Sequence, residues 1–265
     1  GENESLMLTA MLQRRSQPVQ WIVSERIIKC DSCAAQRTLA STQMSQECIF
    51  CGSQHVMETD ALGSFEQPDI IVPFSVNAQA ARQLVSERLN SRMERVKGWF
   101  ADNRVDSLNL VPVYLPFWVY DVIAEVSRTV QVKVNTERNG QLRSFVQPYS
   151  NERYAELIND VFVPASTQPT RKMLFELGRY KLANAAPFKP DYIAQRSAEL
   201  YSIDFDKAAM DVHEIVGGRM REKYSTRESS NEEITVFTLI KSMSFTLALL
   251  PVWIFTLIEK DGDVR

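Results

Sequence analysis

The spacing of hydrophobic positions changes several times along this chain, and each change predicts an element. Leu6, Met7, Met11 and Leu12 fall at helical spacing, so residues 1–20 read as an amphipathic lead-in that ends near Pro18. "IIVPFSV", Ile70 to Val76, reads as a short strand that stops at a helix start, with Asn77 placed to cap the helix. Ala81, Leu84, Val85, Leu89, Met93 and Val96 then form one apolar helical stripe. Gly98 is placed to end that helix, with Trp99 and Phe100 packing beyond it.

The period then drops to two. Val126, Val130, Val132 and Val134 alternate with Thr129, Gln131 and Lys133, which predicts a strand, and Asn139-Gly140 predicts a hairpin turn. "DVFVPAS", Asp160 to Ser166, reads as another short strand. "FKPDYIAQRSAELYS", Phe188 to Ser202, reads as a helix opened by Pro190 and Asp191. Asp204 is placed to cap a further helix, with Phe205, Ala208, Val212, Ile215 and Val216 on one face and Gly217-Gly218 weakening or breaking it. A polar loop, Ser225 to Glu233, precedes the last strands.

Two stretches echo each other. "YLPFWVY", Tyr114 to Tyr120, parallels "LLPVWIF", Leu249 to Phe255, with Leu-Pro and Trp in register. Each follows a Pro-Phe pair and a helix: Pro73-Phe74 before the first, Pro187-Phe188 before the second. The echo suggests two related α+β halves, each with a Trp-bearing strand in a sheet. Trp118, Tyr120 and Trp253 could line a ligand box, but core packing is the plainer reading, because aromatic rings supply large buried areas.

Composition narrows the field. The chain has 265 residues, 45% hydrophobic and 24% charged, which is ordinary for a folded globular protein and long enough for more than one module. Net charge is −3, so the basic excess usual in duplex-binding proteins is absent. Arg14, Arg15, Arg26 and Lys29 make a local basic patch that reads as a solvated face. No charged-then-apolar leader is present, and the chain opens on Gly1 rather than Met, which reads as a processing boundary. The most apolar stretch, Val236 to Ile258, contains Lys241 and Pro251 and reads as core strand rather than membrane span.

All four cysteines lie in "IKCDSCAAQRTLASTQMSQECIFCGS", Ile28 to Ser53, as two Cys-x-x-Cys pairs, Cys30/Cys33 and Cys48/Cys51. Each pair forms a tight turn that aims two sulfurs at one ion, and the two turns together close a tetrahedral shell. The expectation is one structural Zn2+ per chain, with no protein position left open for a substrate. Disulfides and a thioredoxin-like redox site are weaker readings: adjacent Cys-x-x-Cys pairs bridge poorly, and Cys30 follows a strand-like segment instead of opening a helix. Ile27 to Lys29 should enter as a strand, and "RTL" after the first knuckle should pair back onto it.

Little else carries chemistry. There are two histidines: His55 reads as a surface residue and His213 as a helix residue whose neighbour Glu214 faces elsewhere. Asp211 and Glu214 share a helical face that reads as solvated, and Asp121 is expected to cap a turn or pair with an arginine. No nucleophile elbow, phosphate loop or dinucleotide fingerprint occurs, so no catalytic residue is assigned.

The order CxxC…CxxCG, "VPF", "YLPFWVYD", "VFVPAS", "PFKPDYIAQRSAELYSIDFDKAA" and "LLPVWIF" resembles a family of largely uncharacterised bacterial zinc-ribbon proteins, often labelled replication-restart-helicase-like or transcription-factor-like. The resemblance covers roughly residues 27–258. It implies an N-terminal zinc ribbon, an α+β body, a hairpin with an Asn-Gly turn after the second LPxW strand, and often membrane-spanning helices beyond. It also implies links to flotillin-like and phage-shock-type membrane-stress proteins. This chain departs from that pattern in ending at Arg265, inside the expected hairpin and without a transmembrane tail, which leaves membrane anchoring open.

The expected fold is α+β: an N-terminal four-cysteine zinc ribbon followed by a mixed α+β body of two related halves with mainly antiparallel strands. The expected boundaries are lead-in 1–20, ribbon 21–57, linker 58–68 and halves 69–165 and 166–265. The expected function is a non-enzymatic adaptor or scaffold in a larger assembly, cytoplasmic and peripheral at the inner face of a membrane, with protein partners that include membrane proteins and no small-molecule substrate. A nucleic-acid-binding ribbon is the alternative.

Overall fold

The structure is a computed structural model that describes residues 11–15, 17–21, 26–39, 47–59, 65–95, 105–138, 141–167, 182–194 and 196–259. The expectations for Leu6, Met7, Gly98, Trp99, Phe100 and Asn139-Gly140 lie outside those residues, as do the side chains of Leu89 and Met93.

The elements run β1 Leu12–Arg14, β2 Gln20–Trp21, β3 Arg26–Cys30, β4 Gln36–Leu39, β5 Val56–Thr59, β6 Phe65–Glu66, β7 Ile70–Ile71, α1 Ala78–Arg95, β8 Val105–Arg138 and β9 Gln141–Pro164. They continue with β10 Ala186–Pro187, β11 Ser197–Ala198, α2 Phe205–Tyr224 and β12 Glu232–Glu259. The fold is mixed and mostly strand, with two helices among the described residues. The chain divides into two compact units, each assembled from three stretches. The first holds Gly1–Gln17, Trp118–Val163 and Ile203–Thr246; the second holds Pro18–Phe117, Pro164–Ser202 and Leu247–Arg265. The long strands β8 and β12 contribute to both.

In the first unit, β8 alternates clearly. Tyr120, Val122, Ala124, Val126 and Val130 are buried, whereas Ile123 is exposed. Helix α2 buries Ala208, Ala209, Val212, Val216 and Met220. Phe245 of β12 stacks on Phe205 at 4.5 Å and meets Trp118 edge-on at 5.8 Å. Each ring pair of this kind adds about 1 kcal/mol beyond the area it buries. Gly217-Gly218 does not break α2, which runs on to Tyr224. Packing of the helix face outweighs a propensity penalty of roughly 1 kcal/mol per glycine.

Leu12 belongs to a strand and not to an amphipathic helix: β1 pairs in parallel with β12, Leu12 opposite Met243. Backbone pairing along β12 overrides the local helical spacing. Asp160 to Pro164 of "DVFVPAS" is the end of the long β9 and not a separate strand, and Ala165 and Ser166 lie just beyond it.

The second unit contains a three-stranded antiparallel sheet, β4-β3-β5, which carries the cysteines, and a strand order β10-β7-β12-β8-β11. Strand pairs of both senses occur there: β10 on β7 is antiparallel, while β7 on β12 and β11 on β8 are parallel. Its core gathers Trp21, Ile27, Ile71, Tyr114, Phe188, Ile193, Ala198, Leu200 and Leu249. Asn77 caps α1 as expected, its Oδ1 accepting from the Ala80 amide at 2.9 Å. The expected stripe on α1 is only partly buried: Ala81 is covered, but Leu84 is exposed.

The segment Phe188 to Ser202 is not a helix. One 3-10 turn, Pro190–Tyr192, is followed by the strand β11. Ser197 and Ala198 find backbone partners on Val113 and Tyr114, and that ladder displaces the helix suggested by the opening Pro-Asp.

Candidate metal centre and the polar junction beside it

The cysteine turns follow from local backbone chemistry. In the first, the Ala34 amide donates to the Cys30 carbonyl at 2.9 Å and the Cys30 amide to Ala35 at 3.0 Å. In the second, Gly52 donates to Cys48 at 2.9 Å and Cys48 to Ser53 at 2.8 Å. The residue after each pair is left-handed, Ala34 at φ 59° and Gly52 at φ 73°. Glycine adopts that conformation freely, whereas alanine is strained there by about 1 kcal/mol. Ser32 and Ser53 hydroxyls meet at 2.8 Å between the two turns.

The structure brings all four predicted sulfurs together. Cys30, Cys33, Cys48 and Cys51 offer ligand atoms within 4.8 Å of one another. Cys30 Sγ lies 3.7 Å from Cys51 Sγ, and Cys33 Sγ lies 3.7 Å from Cys48 Sγ. The cysteines are free rather than bridged. Cys30 and Cys48 are buried, Cys33 is half-buried and Cys51 is exposed. Burial opposes ionisation of Cys30, but the backbone amides of Cys33 and Ser32 outweigh it and bring the thiol down to about 7. Burial pushes Cys33 and Cys48 up. Four soft donors at this spacing could hold one metal ion.

No family model matches the chain, and no solved structure does. The chain is similar to a Bacillus subtilis protein described as "Uncharacterized protein YdjG". The two are 23% identical over 206 residues, which cover 73% of this chain and 58% of the relative. The chain therefore spans a little over half the length of that relative.

Next to the cysteine sheet lies a buried polar junction that the sequence reading missed. Arg37 and Glu199, opposite each other in an isolated antiparallel bridge, are 5% and 2% exposed. The Arg37 guanidinium donates to Ser197 Oγ at 2.7 Å, and the Ser166 hydroxyl donates to Glu199 Oε2 at 2.7 Å. The Ala198 amide donates to Thr38 Oγ1 and the Leu200 amide to the Gln36 carbonyl, both at 2.9 Å. Burial pushes the Glu199 carboxyl up to about 8, against the lowering effect of the Ser166 hydroxyl. Burial pulls the Arg37 guanidinium down, while Cys48 acts on it in the opposite direction. Glu199 could not be found from its neighbours, because a helical reading of "QRSAELYS" puts it on a surface.

The remaining candidates have structural partners. Asp121 forms an ion pair with Arg15 and accepts from the Asp160 amide at 3.1 Å. Trp118 and Tyr120 are buried, the Trp118 indole donating to the Ile203 carbonyl at 2.7 Å and the Tyr120 hydroxyl to Phe205. Asp211, Glu214, His213 and His55 are exposed. In the basic patch, Arg15 and Arg26 are in ion pairs, Arg26 with Glu58 at 3.3 Å, and Arg14 lies over the Phe245 ring at 5.5 Å.

Proposed function

We propose that Cys30, Cys33, Cys48 and Cys51 hold one structural Zn2+, as a zinc ribbon does, and that the chain is a non-enzymatic adaptor or scaffold. The observation that carries the metal reading is the 3.7 Å sulfur separation. A tetrahedral zinc with Zn–S of about 2.3 Å places its sulfurs about 3.8 Å apart. Four thiolates fill the shell, so zinc here stabilises the two turns and presents no open ligand position. The three-stranded antiparallel sheet that frames the turns suits a ribbon.

The adaptor reading is supported by exposed apolar side chains along the strands of the first unit: Ile123, Leu157, Phe237 and Leu239. Exposed apolar groups of this size on strands are the usual raw material of protein contacts. The resemblance to bacterial zinc-ribbon proteins favours partners in an assembly at the cytoplasmic face of a membrane. Among the described residues, no helix is long and apolar enough to cross one. The nucleic-acid alternative is weakened by the ion pairs that occupy Arg15 and Arg26.

Two measurements test the proposal. Elemental analysis of purified protein is expected to return one zinc per chain, and Cys48→Ser to lower it. Protein that takes up neither Zn2+ nor Co2+ would refute the metal reading. Co-purification from native membranes is expected to bring specific proteins with the chain; recovery only as a lone monomer counts against the adaptor reading.

A further inference from the structure

We propose that Cys51 is an oxidation site: its sulfur reacts first with peroxide, Cys30 closes a bond onto it, and the metal ion is released. The inference rests on the metal reading above.

The four ligands are not equivalent. Cys30 and Cys48 are buried and Cys33 is half-buried, whereas Cys51 is exposed. A thiol bound to a metal ion is held as thiolate, the nucleophilic form. Oxidation follows thiolate character and access, so Cys51 is the sulfur that a small oxidant meets. Facing it across the two turns is Cys30 Sγ, at 3.7 Å. A disulfide needs about 2.0 Å, so rotation of the exposed Cys51 side chain has to close a gap of about 1.7 Å.

The backbone holds these two sulfurs opposite each other without help from an ion. Cys30 pairs with Val56 across β3 and β5, and the Asp31 amide donates to the His55 carbonyl at 3.0 Å. The Ser32 and Ser53 hydroxyls meet at 2.8 Å. These contacts join the first turn to the chain just beyond Cys51, so the turns stay side by side when the ion leaves.

The chemistry balances with peroxide as the oxidant. The Cys51 thiolate attacks one peroxide oxygen; the O–O bond breaks, hydroxide leaves, and the sulfur, oxidised by two electrons, becomes a sulfenic acid. The Cys30 thiolate then attacks that sulfur; the S–S bond forms, the S–O bond breaks and a second hydroxide leaves. Two thiolates are consumed, and the remaining pair, Cys33 and Cys48, does not close a tetrahedral shell.

The test uses the full chain loaded with zinc, exposed to hydrogen peroxide beside a chromophoric zinc chelator. Wild type is expected to release its zinc, and dithiothreitol to restore binding. Tryptic cleavage after Lys29, Arg37 and Arg82 puts Cys30 and Cys33 on one peptide and Cys48 and Cys51 on the next. A Cys30–Cys51 bond therefore joins the two peptides, and fragmentation assigns it. Cys51→His supplies a nitrogen ligand that cannot follow this route, and is expected to keep its zinc through the same exposure. Cys33→His leaves the Cys30–Cys51 pair in place and is expected to release zinc as wild type does. Overturning results are a first bond inside either peptide or from Cys33 to Cys48, release that dithiothreitol does not reverse, or zinc loss from Cys51→His at the wild-type rate. If a histidine variant does not fold, the bond mapped in wild type still decides. A wild type that takes up no zinc refutes the metal reading itself. A zinc-loaded wild type that holds its ion against peroxide refutes only this inference.

Discussion

At the scale of single residues, Glu199 is the most consequential group after the cysteines. Its carboxyl is 2% exposed, and burial moves it from 4.5 up to about 8. Between those values the folded state holds a proton that the unfolded chain has released. Stability therefore falls as pH rises through that window and levels off above it. Glu199→Gln keeps the shape of the protonated side chain and removes the titration. Urea unfolding of zinc-saturated protein is expected to show the variant ahead by only about 1 kcal/mol at pH 5.5. By pH 8.5 the variant should be the more stable by an amount on the order of a few kcal/mol. A stability difference that stays constant across the range would show that Glu199 ionises normally.

At the scale of elements, one arrangement occurs twice. Ile71 of β7 lies in parallel register with Leu249, the first residue of "LLPVWIF", and Ala198 of β11 with Tyr114, the first residue of "YLPFWVY". The Val72 amide donates to the Leu249 carbonyl at 3.0 Å and the Glu199 amide to the Tyr114 carbonyl at 2.9 Å. The Trp253 indole donates to the Val76 carbonyl at 3.2 Å, just before the α1 cap Asn77, as Trp118 does to Ile203 just before Asp204 and α2. The structural counterpart of Ser75-Val76-Asn77 is thus Ser202-Ile203-Asp204, while Pro187 pairs instead with Ile70 of β7. The two tryptophans differ in burial, Trp118 being covered and Trp253 half-buried. Trp118→Phe removes this hydrogen bond and leaves a gap where a fully buried indole packed, and is expected to cost about 2–4 kcal/mol. Trp253→Phe is expected to cost about 1 kcal/mol, because its half-buried indole leaves a smaller gap when trimmed. Chemical denaturation of both variants checks the order; equal losses would mean that the two indoles do the same structural work.

At the scale of the whole molecule, the two units should differ in their dependence on metal. The cysteine turns and the β4–β3–β5 sheet lie in the second unit, while α2 and the aromatic cluster that covers it lie in the first. Small metal-closed sheets owe much of their stability to the ion, since their cores are thin. Chelation followed by exchange mass spectrometry is expected to release Arg26–Cys30 and Gln36–Leu39 and to leave Phe205–Tyr224 protected. Loss of protection along α2 would mean that the metal stabilises the chain as a whole.

The sequence by itself determined the features that depend on neighbours along the chain. The doubled Cys-x-x-Cys spacing located all four sulfurs, Asn77 the start of α1, and the alternation around Val126 to Val134 the strand character of β8. Each is decided within a few residues by turn geometry, a capping bond or side-chain period. Only the tertiary structure decided the rest. Ser197-Ala198 became a strand because Val113-Tyr114 offers it a ladder, and Leu12 because β12 does. Gly217-Gly218 stayed helical because the face around it is buried. Arg37, Ser166, Ser197 and Glu199 met because strands far apart in the sequence pair there. The polarity of each is legible in the sequence; its burial, and so its energetic weight, depends on a register that no local pattern encodes.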